Sequence, residues 1–151
     1  MEKRFIEKHN ADVLVKGIPI THHIASGKII FNDDKAISLA REGESVILVR
    51  DYIEPDNIES LKLAKGVILA KRDTGIFALT MTKTLKKSCI LSTNINIEDN
   101  KMLINNQEYL EGTEVSLDGL TGDIYLGLIP QVNMIGYNDL AKQELKRKIY
   151  R

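Results

Sequence analysis

The chain has 151 residues, enough for one domain, and its 43% hydrophobic and 28% charged residues are typical of a globular protein. Twenty-one Lys and Arg balance twenty-one Asp and Glu, and this neutrality disfavours nucleic acid and anionic membranes as partners. No apolar run approaches the roughly 20 residues of a membrane span, and the N-terminus lacks an apolar signal core. These features predict a cytoplasmic protein.

The rarest residues restrict the chemistry most. Cys89 is the single cysteine, so an internal disulfide is excluded. The three histidines are His9, His22 and His23, so the last 128 residues hold no histidine-based catalytic centre and the usual Cys/His zinc spacings are absent. We therefore expect neither a metal nor a cofactor.

The pattern along the chain predicts strands that alternate with helices, followed by short β-hairpins. A polar lead-in covers residues 1–12, and a basic, helix-prone segment covers 131–151. The first helix has its cap at 32–34 and its stop at Gly43, the second begins at 54–56, and the third covers 76–87. The strands expected before the hairpins are 25–31, 45–50, 67–70 and 88–91, and those of the hairpin region are 101–104, 107–110, 113–117 and 123–126.

In the third predicted helix, Phe77, Met81 and Leu85 recur at a spacing of four residues. Such a stripe is more typical of a core-facing helix than of a ligand site. Cys89 lies in a predicted buried strand, where an inert core thiol is expected.

Six sequence motifs together resemble a known domain. They are GIP at 17–19, IASGKI at 24–29, VILVR at 46–50, GVIL at 66–69, KSCI at 87–90 and EGTEVSLDGLTGDIYLG at 111–127. In these motifs the chain resembles the mobile, swivelling phosphohistidine domain of phosphoenolpyruvate-utilising enzymes. Within that group its sequence is most similar to the pyruvate phosphate dikinases. The resemblance implies an α/β fold, a compact β/β/α sandwich over residues 13–130 with short helices and C-terminal hairpins.

The resemblance also implies a function, which is that of a phosphoryl carrier. In that family a histidine at the start of a helix accepts a phosphoryl group, and the domain then swings to a second active site. Imidazole is the nucleophile, and the N–H groups at the helix start hold the phosphate. The family's Gly-Gly-Met-Thr-Ser-His string corresponds here to residues 71–79, which places Phe77 at the histidine position. A phenyl ring has no lone pair for phosphate, so the resemblance implies a kept fold and a lost carrier residue.

Two neighbouring family loops differ as well. The family's Ser-Pro-Gly is replaced by Thr21-His22-His23, and its Thr-Ser-Pro by Ile53-Glu54-Pro55. Both loops flank the phosphohistidine in the family. Three departures in one region indicate a retired active site rather than a single substitution.

Each remaining candidate residue has a functional interpretation and an ordinary structural one. His22 or His23 could replace the missing carrier or bind a metal, although two solvated loop histidines are commoner. Asp73 and Thr74 precede the third helix and could bind an anion, but a helix N-cap is the commoner role. Arg50 and Arg72 approximate family positions near the phosphate path and could hold an anion or form surface ion pairs.

Three hypotheses follow from the sequence. The first is a degenerate, stand-alone mobile domain that is not catalytic alone and acts by binding another protein, such as a phosphoenolpyruvate-utilising enzyme. The second is an active carrier, a phosphotransferase component that uses His22 or His23. The third is an anion or small-ligand sensor at Arg50 and Arg72. The sequence leaves the oligomeric state open, and also whether the chain stands alone or is a fragment of a larger enzyme.

Overall fold

The computed structural model describes residues 13–72 and 75–129. The predicted lead-in at 1–12, the predicted C-terminal segment at 131–151, and the candidates Asp73 and Thr74 lie outside the described residues.

The described residues form short strands and helices that alternate in the first two thirds of the chain. The strands there are β1 (Val13–Lys16), β2 (Ile18–Pro19), β3 (Ala25–Ile30), β4 (Val46–Arg50), β5 (Gly66–Leu69) and β6 (Ser88–Leu91). The helices are α1 (Asp33–Arg41), a 3-10 turn (Pro55–Asn57) that leads into α2 (Ile58–Leu63), and α3 (Gly75–Thr84). The remaining strands are β7 (Asn96–Glu98), β8 (Lys101–Ile104), β9 (Gln107–Leu110), β10 (Glu114–Leu117) and β11 (Asp123–Leu126).

Eight of these strands form one mixed sheet in the order β1-β11-β10-β3-β4-β5-β6-β2. The central strands β3, β4, β5 and β6 run parallel to one another, and the outer pairs are antiparallel. Strands β7, β8 and β9 form a second, antiparallel sheet. Mixed sheets with short helices between parallel strands confirm the α/β class that the sequence predicts.

Both faces of the large sheet are covered, which explains the continuous apolar run of β4. Ile47 and Val49 belong to one buried cluster, together with Met102 of the small sheet. Val46 and Leu48 belong to the other cluster. That second cluster also contains buried residues of the helical layer, Ala36, Leu61 and Ala78. Alternating side chains of one strand therefore serve two cores. That this arrangement is a swivelling domain stays a prediction.

The third helix differs from its prediction at its C-terminal end. The Phe77, Met81 and Leu85 stripe does pack against the helix-side core, as expected. However, α3 ends at Thr84 and not at Lys87, because Lys86 adopts a left-handed backbone with φ 57°. Its N–H donates to the carbonyl of Lys83, which closes the last turn.

The hairpins after β6 agree with the prediction except for one strand. Asn105 and Asn106 join β8 to β9, and both have positive φ, as a type I′ turn requires. The strand expected from residue 113 begins at Glu114. Strands β1, β2 and β7 were not predicted. The two or three residues of β2 and β7 are too few to show a period-two pattern.

Candidate functional site

The carboxyl edge of the large sheet is the edge at which the four parallel strands end. Arg50 is the last residue of β4, and its carbonyl accepts a hydrogen bond from the N–H of Ala70, 3.0 Å away, just beyond β5. The chain then continues through Lys71 and Arg72 to the start of α3 at Gly75. The predicted carrier position therefore lies at this edge, where α/β sheets commonly bind ligands.

Phe77 lies in the first turn of α3, and its environment is that of a packing residue. Its side chain is half-buried and packs against the helix-side core, beside the fully buried Ala78. Ile76, the residue before it, is 82% exposed. The first described turn of α3 therefore presents the Ile76 side chain to solvent and packs the Phe77 side chain against the helix-side core.

Arg50 is held by groups of the chain itself. One guanidinium nitrogen lies 3.3 Å from the Asp33 carboxylate and 3.3 Å from the Phe31 carbonyl. Asp33 also accepts hydrogen bonds from Asn57 and from the Ser60 hydroxyl. The Arg50 charge therefore joins β4 to the starts of α1 and α2.

The two candidate arginines line different pockets among the described residues. Arg50 lines a pocket of about 440 Å³ together with three acidic residues, Asp51, Glu54 and Asp99. Carboxylates around a cation neutralise the field that an incoming anion would need.

Arg72 is exposed and lines a smaller, separate pocket of about 230 Å³. Lys16, Ser92 and Asn94 line the same pocket. Among the described residues, neither of these two pockets is lined by both arginines.

His22 and His23 lie at the amino edge of the large sheet, where the parallel strands begin. The Thr21 hydroxyl donates to the Lys87 carbonyl at 2.6 Å and accepts from the N–H of Cys89 at 3.1 Å, which fixes this loop beside the start of β6. The Nδ1 atom of His22 lies 3.3 Å from the carbonyl oxygen of Gly119. Both histidines are exposed.

The length of α3 separates these histidines from Phe77. The helix starts at the carboxyl edge and ends at the amino edge, since it connects the end of β5 to the start of β6. Its 10 residues span roughly 15 Å at 1.5 Å per residue. The structure therefore does not bring His22 or His23 to the first turn of α3.

Cys89 lies on β6 in the helix-side core and is fully buried. Burial raises the pKa of its thiol to about 12, although a hydrogen bond with Thr82 acts in the opposite direction. The thiolate, which is the reactive form, is therefore scarce at neutral pH.

A basic pocket at the amino edge was missed by the sequence reasoning. Lys65, Lys86 and Lys87 line a depression of about 430 Å³, together with His23 and several serines. Burial lowers the pKa of Lys87, and the neighbouring Lys65 charge lowers it further. One sequence signal was available for this pocket. Lys65 and Lys87 immediately precede β5 and β6, and the starts of parallel strands lie at the same edge of a sheet.

Within residues 13–72 and 75–129, no three or more His, Cys, Asp or Glu side chains come together as a metal site would need. In the same ranges, no helix has the length and apolar character that a membrane crossing requires.

Comparison with known proteins relates this chain to one group of enzymes. It is 31% identical over 121 residues to a chloroplastic pyruvate, phosphate dikinase of Mesembryanthemum crystallinum, which covers 78% of this chain. It is 30% identical over 133 residues to the pyruvate, phosphate dikinase of Giardia intestinalis, covering 86% of this chain. The corresponding match in Clostridium symbiosum is 30% identical over 119 residues and covers 77% of this chain. No family model matches the chain.

These matches cover only 13–15% of the length of the relatives. The chain is therefore related to one segment of pyruvate phosphate dikinases, which are phosphoenolpyruvate-utilising enzymes, and it spans about a seventh of such an enzyme.

Proposed function

We propose that this chain is a mobile domain of the phosphoenolpyruvate-utilising type that has lost its phosphoryl acceptor and acts by binding a partner protein. The observation that carries the proposal is Phe77 in the first turn of α3. The similarity to pyruvate phosphate dikinases supports the scaffold, and the phenyl ring at the implied acceptor position supports the loss of phosphoryl transfer.

The packing of Phe77 supports a structural role for the phenyl ring at the position where the family has its histidine. Its ring contributes to the helix-side core, so the position has acquired a structural role. A histidine that carries phosphate must instead present a ring nitrogen to solvent or to an incoming active site.

The exposed apolar residues at the carboxyl edge support partner binding. Ile76 is 82% exposed in the first turn of α3, and Ile18 is 55% exposed on β2, which pairs with the end of β6. Apolar side chains beside a former active site are suited to a docked protein that buries them. The partner we propose is a phosphoenolpyruvate-utilising enzyme of the same cell.

An active carrier that uses His22 or His23 is the alternative, and one contact favours it. A carbonyl oxygen only accepts hydrogen bonds, so His22 Nδ1 must donate to Gly119 in the contact between them. Neutral His22 then carries its lone pair on Nε2, which is the form a nucleophile needs. The distance of this loop from the first turn of α3 favours the degenerate domain over this alternative.

A labelling assay separates these two functions. The chain is incubated with labelled phosphoenolpyruvate or ATP and the phosphoenolpyruvate-utilising enzymes of its own cell. We expect no label on the wild type, as on the His22→Ala/His23→Ala double variant. An acid-labile phosphoryl group on the wild type that disappears in the double variant would establish the alternative.

A binding assay with the same enzymes tests the docking surface. We expect Ile76→Asp to abolish binding of the cognate enzyme. Leu110→Asp is the matched control, because Leu110 is 59% exposed on β9, in the other sheet. Equal binding by the wild type and Ile76→Asp would contradict docking through the first turn of α3.

A further inference from the structure

The pocket at the amino edge of the large sheet has the composition of an anion site. Three of its lining residues are the lysines Lys65, Lys86 and Lys87, and others are His23, Ser45 and Ser88. Among the described residues, no Asp or Glu lines it. Every ionisable side chain known to face the pocket is therefore a base.

Ser88 supplies the second observation. The residue is 1% exposed and lines this pocket, at the start of β6. Within the described part of the chain, its hydroxyl oxygen has no hydrogen-bond partner. A buried hydroxyl without a partner is unfavourable, so such groups commonly mark a place where a ligand or water binds.

The lysines have more than a capping role. Lys87 does donate to the Lys62 carbonyl at 2.7 Å, beside the end of α2, as basic residues near helix C-termini commonly do. Lys65 and Lys86 have neither an ion pair nor a side-chain hydrogen bond to any described residue. They are exposed and so remain available to a ligand. Burial and the Lys65 charge together lower the pKa of Lys87, and a bound anion would relieve this repulsion.

We propose that this pocket binds the phosphate group of a small phosphorylated molecule. Three ammonium groups match a phosphate dianion better than a single carboxylate, and Lys binds phosphate as a point charge. The Ser88 hydroxyl donates to a phosphate oxygen in the complex. The pocket lies at the opposite edge of the sheet from Phe77 and Arg72, so the proposal does not depend on the fate of the phosphoryl carrier position.

Binding of inorganic phosphate, measured by titration calorimetry at constant ionic strength, tests the proposal. We expect saturable binding that Lys65→Gln and Lys86→Gln each weaken about tenfold, the effect of losing one charge-assisted hydrogen bond. Lys83→Gln, on an exposed lysine of α3 outside the pocket, is the matched control and is expected to leave the affinity unchanged. Arg72→Gln, which removes a cation of the carboxyl edge, is expected to do the same.

Ser88→Ala distinguishes a binding role from a structural one. Because the hydroxyl has no described partner, its removal is expected to leave the melting temperature of the free protein unchanged or to raise it. The same variant is expected to weaken phosphate binding severalfold.

Four results would overturn the proposal. They are no saturable binding of phosphate by the wild type, equal weakening by Lys83→Gln, loss of binding in Arg72→Gln, and binding of citrate in place of phosphate. The last result would assign the pocket to carboxylates.

Discussion

The partly buried carboxylate of Glu111 joins the end of β3 to helix α1. Its two carboxylate oxygens accept hydrogen bonds from the Phe31 N–H at 3.0 Å and from the Lys35 ammonium at 2.7 Å. Burial by itself would raise the pKa of Glu111, but these two hydrogen bonds and the Lys35 charge outweigh it, and the pKa is lowered. The ionised carboxylate therefore stabilises the fold more than the protonated carboxyl does.

The sign of this shift sets a pH dependence. A carboxyl whose pKa is lowered by folding contributes its full stability above its unfolded pKa, about 4.3 for Glu. The contribution is lost as the pH falls through the lower pKa of the folded state. Glu111→Gln is expected to lose about 1 kcal/mol of unfolding free energy at pH 7, where Lys35 is partly screened by solvent. The difference from wild type is expected to vanish at a pH below both values.

Urea denaturation as a function of pH measures both effects. Glu108→Gln is the matched control, because its carboxylate is 55% exposed and pairs with Lys101 at 3.4 Å. An exposed pair of this kind contributes little, so this control is expected to stay close to wild type. A Glu111→Gln deficit that persists unchanged in acid would contradict a role for the ionised carboxylate.

At the scale of elements, the turn between β10 and β11 positions the amino edge. Gly122 in that turn has φ +88°, and a Cβ placed there would lie 2.1 Å from the carbonyl oxygen of Gly17. The backbones touch because the Gly17 N–H donates to the Gly122 carbonyl at 2.8 Å. The turn thus closes onto the β1–β2 connection, which leads directly to the His22-His23 loop.

Two glycine substitutions separate backbone conformation from close contact. Gly43 also has positive φ, at +93°, but a Cβ there would meet nothing within 4 Å. Gly43→Ala is expected to cost about 1 kcal/mol for the left-handed backbone alone. Gly122→Ala is expected to cost at least about 3 kcal/mol, because a backbone must also move. If both variants lose the same free energy of unfolding in urea denaturation, the backbone at Gly17 can move away from a Cβ at residue 122 at little cost.

Sequence patterns predicted most elements because their signals are local. The apolar run 46–49, the cap at Asn32 and the stop at Gly43 determine their elements within a few residues. The end of α3 escaped prediction since Lys86, which is not a glycine, takes the left-handed position there.

The amino-edge pocket escaped prediction for a different reason. It joins Lys65 to Lys86 and Lys87, which are distant along the chain and meet only once the register of β5 and β6 is known. The ion pair between Arg50 and Asp33 also joins residues that are distant along the chain, so the sequence positions of the arginines could not predict it.

At the scale of the whole molecule, both cores depend on one sheet. Strand β6 lies between β5 and β2 and contributes Ile90 to one core and Cys89 to the other. Exposure of Cys89 therefore requires the helical layer to separate from the sheet. A central strand of this kind is expected to open only in global unfolding.

Thiol labelling at pH 8 tests this expectation directly, since Cys89 is the single cysteine of the chain. The native thiol is fully buried, with a pKa raised to about 12, so labelling is expected to wait for unfolding, whereas the urea-unfolded chain reacts at once. Gly43→Ala, at about 1 kcal/mol less stable, is expected to label about fivefold faster, because labelling follows the unfolded population when refolding outpaces the reagent. A native rate that Gly43→Ala leaves unchanged would mean that β6 opens locally and that the two cores are not one cooperative unit.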